Sequence, residues 1–124
     1  MRAADLLLDT LPYNAHTISS DALWAGLPVL TCPGDTFVAR VAAGQLSAME
    51  MPELIARSEA EYEAKAARLA NSPAELAGLR EKLGRQRSTA ALFDTPRFAR
   101  NLEAAYERMW ALYLAGEEPR SIDL

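Results

Sequence analysis

His16, Thr17, Ser19, Ser20 and Asp21 place one imidazole, three hydroxyls and one carboxylate in a short polar stretch, just after Asn14-Ala15. Before it runs Asp5-Leu6-Leu7-Leu8-Asp9, apolar through its centre and of strand type. After it comes Ala22-Leu23-Trp24-Ala25-Gly26, a helical run closed by a glycine. Strand, polar turn and short helix make half of a βαβ unit. The first backbone N–H groups of such a helix lack intrahelical acceptors, and the positive end of its dipole adds to them, so anions bind there. An imidazole and a hydroxyl can donate to the same anion. A carboxylate repels it, so Asp21 serves such a site only by reaching a hydroxyl donor on the ligand. Each residue also has a plainer use. His16 can bond a backbone carbonyl within the turn, Thr17 can cap the helix, and Asp21 can favour the helix dipole.

These residues need elements to hold them. Thr17 is the expected N-cap, accepting from the N–H of Ser19 or Ser20, with Asp21 in the first helical turn and Gly26 at the C′ position. Continuous apolar strands are typical of parallel sheets covered on both faces. The sequence offers a second strand at Pro28-Val29-Leu30-Thr31-Cys32 and a weaker third at Leu54-Ile55-Ala56. Two or three strands are few for an α/β domain, and Met1-Arg2-Ala3-Ala4 leaves little room before the first, so further strands are expected upstream of Met1. Asp35 or Thr36 should cap a helix running through Val38, Val41 and Ala42 to about Met49.

Beyond residue 57 the pattern is helical. Ser58 and Glu61 form a capping box for a helix to about Ala70, and Ser72-Pro73-Ala74-Glu75 opens another with Leu76, Leu79 and Leu83 on one stripe. Arg80, Lys82, Arg85 and Arg87 read as a solvated basic end. A last helix starts at Asp94-Thr95-Pro96 and stops at Gly116. Its stripe of Phe98, Leu102, Ala105, Tyr106, Met109 and Tyr113 should pack against something large. The expected layout is therefore a partial Rossmann-like region over 1–57, a helical region over 58–116 and a frayed tail over 117–124.

Composition narrows the chemistry. The 124 residues suit one domain at most, and a net charge of −4 gives nucleic acid no basic surface to bind. One cysteine and one histidine exclude an internal disulfide and leave almost no means of building a His/Cys metal site. Asp35 has no second carboxylate near it in sequence to share a metal. Cys32 and Trp24 read as core residues. A lone thiol and the lack of any long apolar run suggest a cytoplasmic protein.

Asp9-Thr10-Leu11-Pro12-Tyr13-Asn14-Ala15-His16-Thr17 and Ser20-Asp21-Ala22-Leu23-Trp24-Ala25-Gly26-Leu27-Pro28 carry a family likeness. It continues through Pro33-Gly34-Asp35-Thr36-Phe37, Pro52-Glu53-Leu54-Ile55 and Leu92-Phe93-Asp94-Thr95. Together these segments resemble the donor-binding part of the O-linked N-acetylglucosamine transferase family, which includes the plant SPINDLY proteins. The resemblance implies an α/β fold, the C-terminal Rossmann-like lobe of a GT-B glycosyltransferase followed by a helical tail. It implies UDP-GlcNAc as donor without a metal or other cofactor, and Ser/Thr hydroxyls of proteins as acceptors.

Position by position, His16 then contacts the diphosphate, Thr17 bonds its oxygens and Asp21 accepts from the ribose hydroxyls. Ile18 replaces a family threonine, keeping a backbone donor but losing a hydroxyl worth about 0.5–1.5 kcal/mol. Catalytic residues lie upstream in this family, so none is expected in this chain, which should be inactive alone. Implied partners are the upstream lobe, tetratricopeptide repeats and a protein acceptor; the incomplete sheet could also pair with a second copy. Three other readings stay open: a helical interaction module, a GDP-fucose transferase, and a UDP-sugar epimerase.

Overall fold

A computed structural model describes residues 4–123, so the short start at Met1-Arg2-Ala3 and the terminal Leu124 lie outside the described residues. The chain forms two compact units, one ending at Phe93 and the other beginning at Asp94.

In the first unit, β1 (Leu7–Leu8) pairs in parallel with β2 (Val29–Leu30), Leu7 opposite Val29 and Leu8 opposite Leu30. Leu7 N–H donates to Pro28 O at 2.9 Å and Asp9 N–H to Leu30 O at 3.0 Å. A parallel bridge between Thr31 and Ile55 adds the third segment. The fold is thus α/β, with strand-like segments in the order β1, β2, Ile55. The expectation that the first strand is covered on both faces fails: β2 is buried throughout, whereas Leu8 is 51% exposed. Among the described residues β1 has a strand neighbour on one side only. The opposite edge is blunted by Lys65, whose Nζ donates to Glu53 O at 3.1 Å and Ile55 O at 2.9 Å.

The helices of this unit are α1 (Thr17–Trp24), α2 (Val41–Ala48), α3 (Glu59–Ala70) and α4 (Pro73–Gln86). One buried cluster joins Leu23 of α1, Val29 of β2, Leu46 of α2, Leu69 of α3 and Leu83 of α4. Leu76 and Leu79 pack against it, as the stripe on α4 predicts. The basic end of α4 is spent on partners, Arg80 pairing with Asp5, Lys82 with Glu53 and Arg85 with Glu81.

Local signals place several helix ends. Gly26 takes φ +80°, with Leu27 N–H bonded to Ala22 O and Gly26 N–H to Leu23 O, the paired bonds of a Schellman motif. Other expectations give way. His16, not Thr17, is the N-cap of α1, and its side chain makes no capping bond; Thr17 is already helical, so Asp21 falls one position beyond the first turn. The single helix expected from Asp35 or Thr36 is split into a 3₁₀ turn, Phe37–Ala39, and α2. Val38 O accepts from Asn14 N–H and Ala39 O from Gly34 N–H, so both carbonyls are lost to the helical ladder. Trp24 is not core: it is 59% exposed, edge-on to Phe93 at 5.0 Å, with the Arg87 guanidinium 5.6 Å from its ring.

The second unit is α5 (Thr95–Leu114) and the segment after it. Asp94 caps α5 by accepting from Arg97 N–H at 2.9 Å, and Gly116, at φ +70°, ends it. Within this unit the stripe is bare: Phe98, Tyr106 and Tyr113 are 65%, 60% and 72% exposed, and no residue of α5 is buried. Arg108 of α5 donates to the Asp123 carbonyl, holding the last described residues to the helix, and Arg120 pairs with Glu117 within the segment that follows it. No helix among the described residues is long and apolar enough to cross a membrane.

Candidate functional site

The polar junction between β1 and α1 lies at the carboxyl ends of the strands, where open α/β sheets bind ligands. Asp9 ends β1 and is buried, at 5% exposure. Its Oδ1 accepts from Thr10 N–H at 2.9 Å and from Ala15 N–H at 2.6 Å, closing the loop between them. Its Oδ2 accepts from Thr31 Oγ1 at 2.6 Å, and its carbonyl from the Tyr62 hydroxyl at 2.8 Å. Burial, and then the charge of Asp9, pushes the Tyr62 phenol up, so it stays a donor at neutral pH.

Within the loop, Asn14 is 1% exposed. Its Nδ2 donates to Thr10 O, whereas its buried Oδ1 has no partner among the described residues. His16 follows, with Nε2 3.4 Å from Val38 O. A backbone carbonyl does meet the imidazole, but it comes from Val38, 22 residues on, rather than from within the turn, and the ring lies between Tyr13, stacked at 5.0 Å, and Phe37, edge-on at 6.5 Å. Tyr13 and Phe37 are themselves 60% and 77% exposed.

The helix entry is gripped from below. Ser19 Oγ lies 2.6 Å from Ala15 O, 2.8 Å from His16 O and 2.5 Å from Gln45 Oε1, although its one proton can serve only one of them. Gln45 Nε2 donates to His16 O at 3.0 Å. Ser20 N–H makes the first helical bond, to His16 O. The N–H groups of Thr17, Ile18 and Ser19 have no acceptor among the described residues, and no side chain caps the helix.

All four candidate residues therefore gather at one open helix end. His16 stands at its N-cap, and Thr17 and Ile18 lie in its first turn, both exposed. Asp21 is exposed four positions beyond Thr17, hence on the same face of α1. This corner can bind an anion and stabilise negative charge. The Cys32 thiol is pushed up by burial and then by Glu59 and Glu61, which keeps it in its unreactive protonated form. No group of three or more His, Cys, Asp or Glu that could hold a metal occurs among the described residues.

Asp9, Gln45 and Val38 were absent from the sequence reading of the site. Asp9 had one signal, a carboxylate closing an apolar strand; Gln45 and the Val38 carbonyl arrive by tertiary folding and had none.

Comparison with known proteins places this geometry. The family model described as glycosyl transferase family 41 matches residues 1–102. The probable UDP-N-acetylglucosamine–peptide N-acetylglucosaminyltransferase SEC of Arabidopsis thaliana is 41% identical over 118 residues, 94% of this chain and 12% of that protein. The corresponding enzyme of Caenorhabditis elegans is 38% identical over 113 residues, 91% of this chain and 10% of its own length. A mutant O-GlcNAc transferase from Thermobaculum terrenum superposes with a TM-score of 0.80 at 40% identity, covering 86% of this chain and 20% of that one. The chain thus spans only about an eighth of the first of these relatives. It belongs to glycosyl transferase family 41.

Proposed function

We propose that this chain is the donor-binding part of a glycosyltransferase that moves GlcNAc from UDP-GlcNAc to Ser/Thr hydroxyls of proteins. The observation that carries the reading is the open end of α1. Two exposed residues, Thr17 and Ile18, present amides without acceptors among the described residues, in the segment that matches the family. In this reading the diphosphate lies against those amides and the Thr17 hydroxyl, His16 flanks it, and Asp21 accepts from the ribose. The relatives' names supply the donor: both are described as using UDP-N-acetylglucosamine.

Mechanistically, the helix end stabilises the charge that develops on the departing UDP. Its donors are fixed before the reaction and need no reorganisation. A metal held by this chain has no part in that scheme. The acceptor-activating group comes from the upstream lobe, with tetratricopeptide repeats presenting the acceptor protein, and the edge of β1 is continued by upstream strands or by a second copy. Residues 1–57 form the nucleotide-sugar region and 58–116 complete the same lobe. We place the protein in the cytoplasm, where its lone thiol stays reduced.

The test is a UDP titration of the full-length protein and of its Thr17→Ala and Asp21→Asn variants. Each variant should weaken binding by about threefold to tenfold, the value of one hydrogen bond. Unchanged affinity in both would remove these residues from the donor site.

A further inference from the structure

We propose that Asp9 is a positioning residue of the donor site, its buried carboxylate fixing the loop that delivers His16 and Thr17 to the ligand. The inference rests on the donor-site reading above and adds to it a residue that touches no ligand. A carboxylate at 5% exposure is costly unless it is hydrogen-bonded, and no ion pair to Asp9 occurs among the described residues. It is supported instead by two main-chain amides on Oδ1 and a hydroxyl on Oδ2. Hydrogen bonds to an ionised acceptor are the strong kind, and the 2.6 Å bond from Ala15 N–H is among the shortest in the loop.

What those bonds hold is specific. Ala15 is held at its N–H by Asp9, and its C=O is one of three oxygens within reach of the single Ser19 hydroxyl proton. The next residue, His16, has φ −104° and ψ −84°, off the regular helix, so the local backbone does not set its path by itself. Fixing the Ala15 amide, one residue ahead of His16, therefore aims the His16 ring and the first amides of α1. Asp9 also ties this loop to the end of β2 through Thr31 and to α3 through Tyr62. Both oxygens are committed, and their charge would repel a diphosphate, so Asp9 acts through Ala15 and not by contact.

The experiment uses full-length protein, wild type and Asp9→Ala, Asp9→Asn and Thr31→Val. Each is titrated with UDP, assayed for KM and kcat with UDP-GlcNAc, and followed by hydrogen exchange over residues 10–16 without nucleotide. Asp9→Asn keeps an oxygen for the Thr10 and Ala15 amides, and Thr31→Val deletes only the bond to Oδ2. Asp9→Ala should speed exchange in 10–16 and weaken UDP about tenfold, the loss falling on KM more than on kcat. Asp9→Asn should restore affinity to within about threefold of wild type, and Thr31→Val should lose about threefold.

A folded Asp9→Ala protein that binds UDP like wild type overturns the proposal, as does Asp9→Asn binding as poorly as Asp9→Ala. If Asp9→Ala does not fold, wild-type affinity in Thr31→Val overturns it. Wild-type protein that does not bind UDP overturns the donor-site reading itself, a failure distinct from a change confined to these variants.

Discussion

α1 and α3 begin in the same way and are finished in opposite ways. Each follows a parallel strand segment at the carboxyl edge of the sheet, α1 after β1 and α3 after Ile55. At α3 the chain satisfies its own helix end. Ser58 is extended, its Oγ accepts from Glu61 N–H at 3.2 Å, and Glu61 Oε2 turns back to accept from Arg57 N–H at 2.8 Å. At α1 the N-cap is His16 and no side chain caps the helix; the buried hydroxyl of its first turn, Ser19, lies against Ala15 O, His16 O and Gln45 Oε1 instead. The α3 end is closed from within by its own side chains; the α1 end forgoes about 1 kcal/mol of capping, which leaves room for an external acceptor.

The sharpest way to break this contrast is to close α1 artificially. Ile18→Glu puts a carboxylate in its first turn, where the amides and dipole favour it, so thermal stability should hold or rise slightly. UDP affinity should fall on the order of 100-fold, because the new charge sits where the diphosphate belongs. Calorimetric titration beside a melting curve reads both quantities. Undiminished UDP binding would mean that the ligand does not use this end of α1.

The reverse operation on α3 should show the opposite pattern. Ser58→Ala removes the side-chain cap and should cost about 1 kcal/mol in denaturant unfolding of the whole protein. UDP affinity should stay as in wild type, since Ser58 serves only its own helix in this account. A loss of affinity comparable to that of Thr17→Ala would erase the distinction between the two ends.

The contrast also explains what the sequence disclosed. Signals written in neighbouring residues survived folding: Gly26 and Gly116 at positive φ, Ser58 with Glu61, and Asp94 ahead of Pro96. The family segment was legible too, and His16, Thr17, Ile18 and Asp21 fall together at the start of α1 because they are close in sequence. What failed depended on distant chain. Thr17 looked like a cap because nothing nearby revealed that Gln45, on α2, would hold the His16 carbonyl and move the helix start. The helix expected through Val38 broke because Asn14 N–H takes the Val38 carbonyl, the same bond that seats the loop before α1. Trp24 has an apolar ring at a helical position, yet the face it occupies is decided by Phe93 and Arg87, far along the chain.

A smaller effect sharpens the α1 side. Ile18 is 60% exposed, so its side chain gives little to the core, and Ile18→Thr should leave stability within about 0.5 kcal/mol of wild type. The added hydroxyl stands beside the open amides and should tighten UDP by about threefold to tenfold. The gain should vanish in the Ile18→Thr protein if Thr17→Ala is added and the two hydroxyls act on one phosphate. Additive effects would assign them to different atoms of the ligand.

The smallest predicted effect lies on the α3 side, in its pH dependence. The Arg57 N–H, then the Lys65 ammonium, hold the Glu61 carboxyl below its ordinary range. A depressed folded pKa contributes stability that is fully present above the unfolded value, about 4.3, and is lost as the pH falls through the folded pKa. Melting temperatures of wild type and Glu61→Gln, taken from pH 7 to pH 3, should therefore converge on the acid side. The ion pair with Lys65 is partly exposed, so added salt should reduce the gap at neutral pH without abolishing it, because the bond to Arg57 N–H does not depend on a mobile partner. UDP affinity, measured at each pH, should not follow the Glu61 titration. If it did, the closed end of α3 would be coupled to the open end of α1, and the two could no longer be treated as separate solutions to the same local problem.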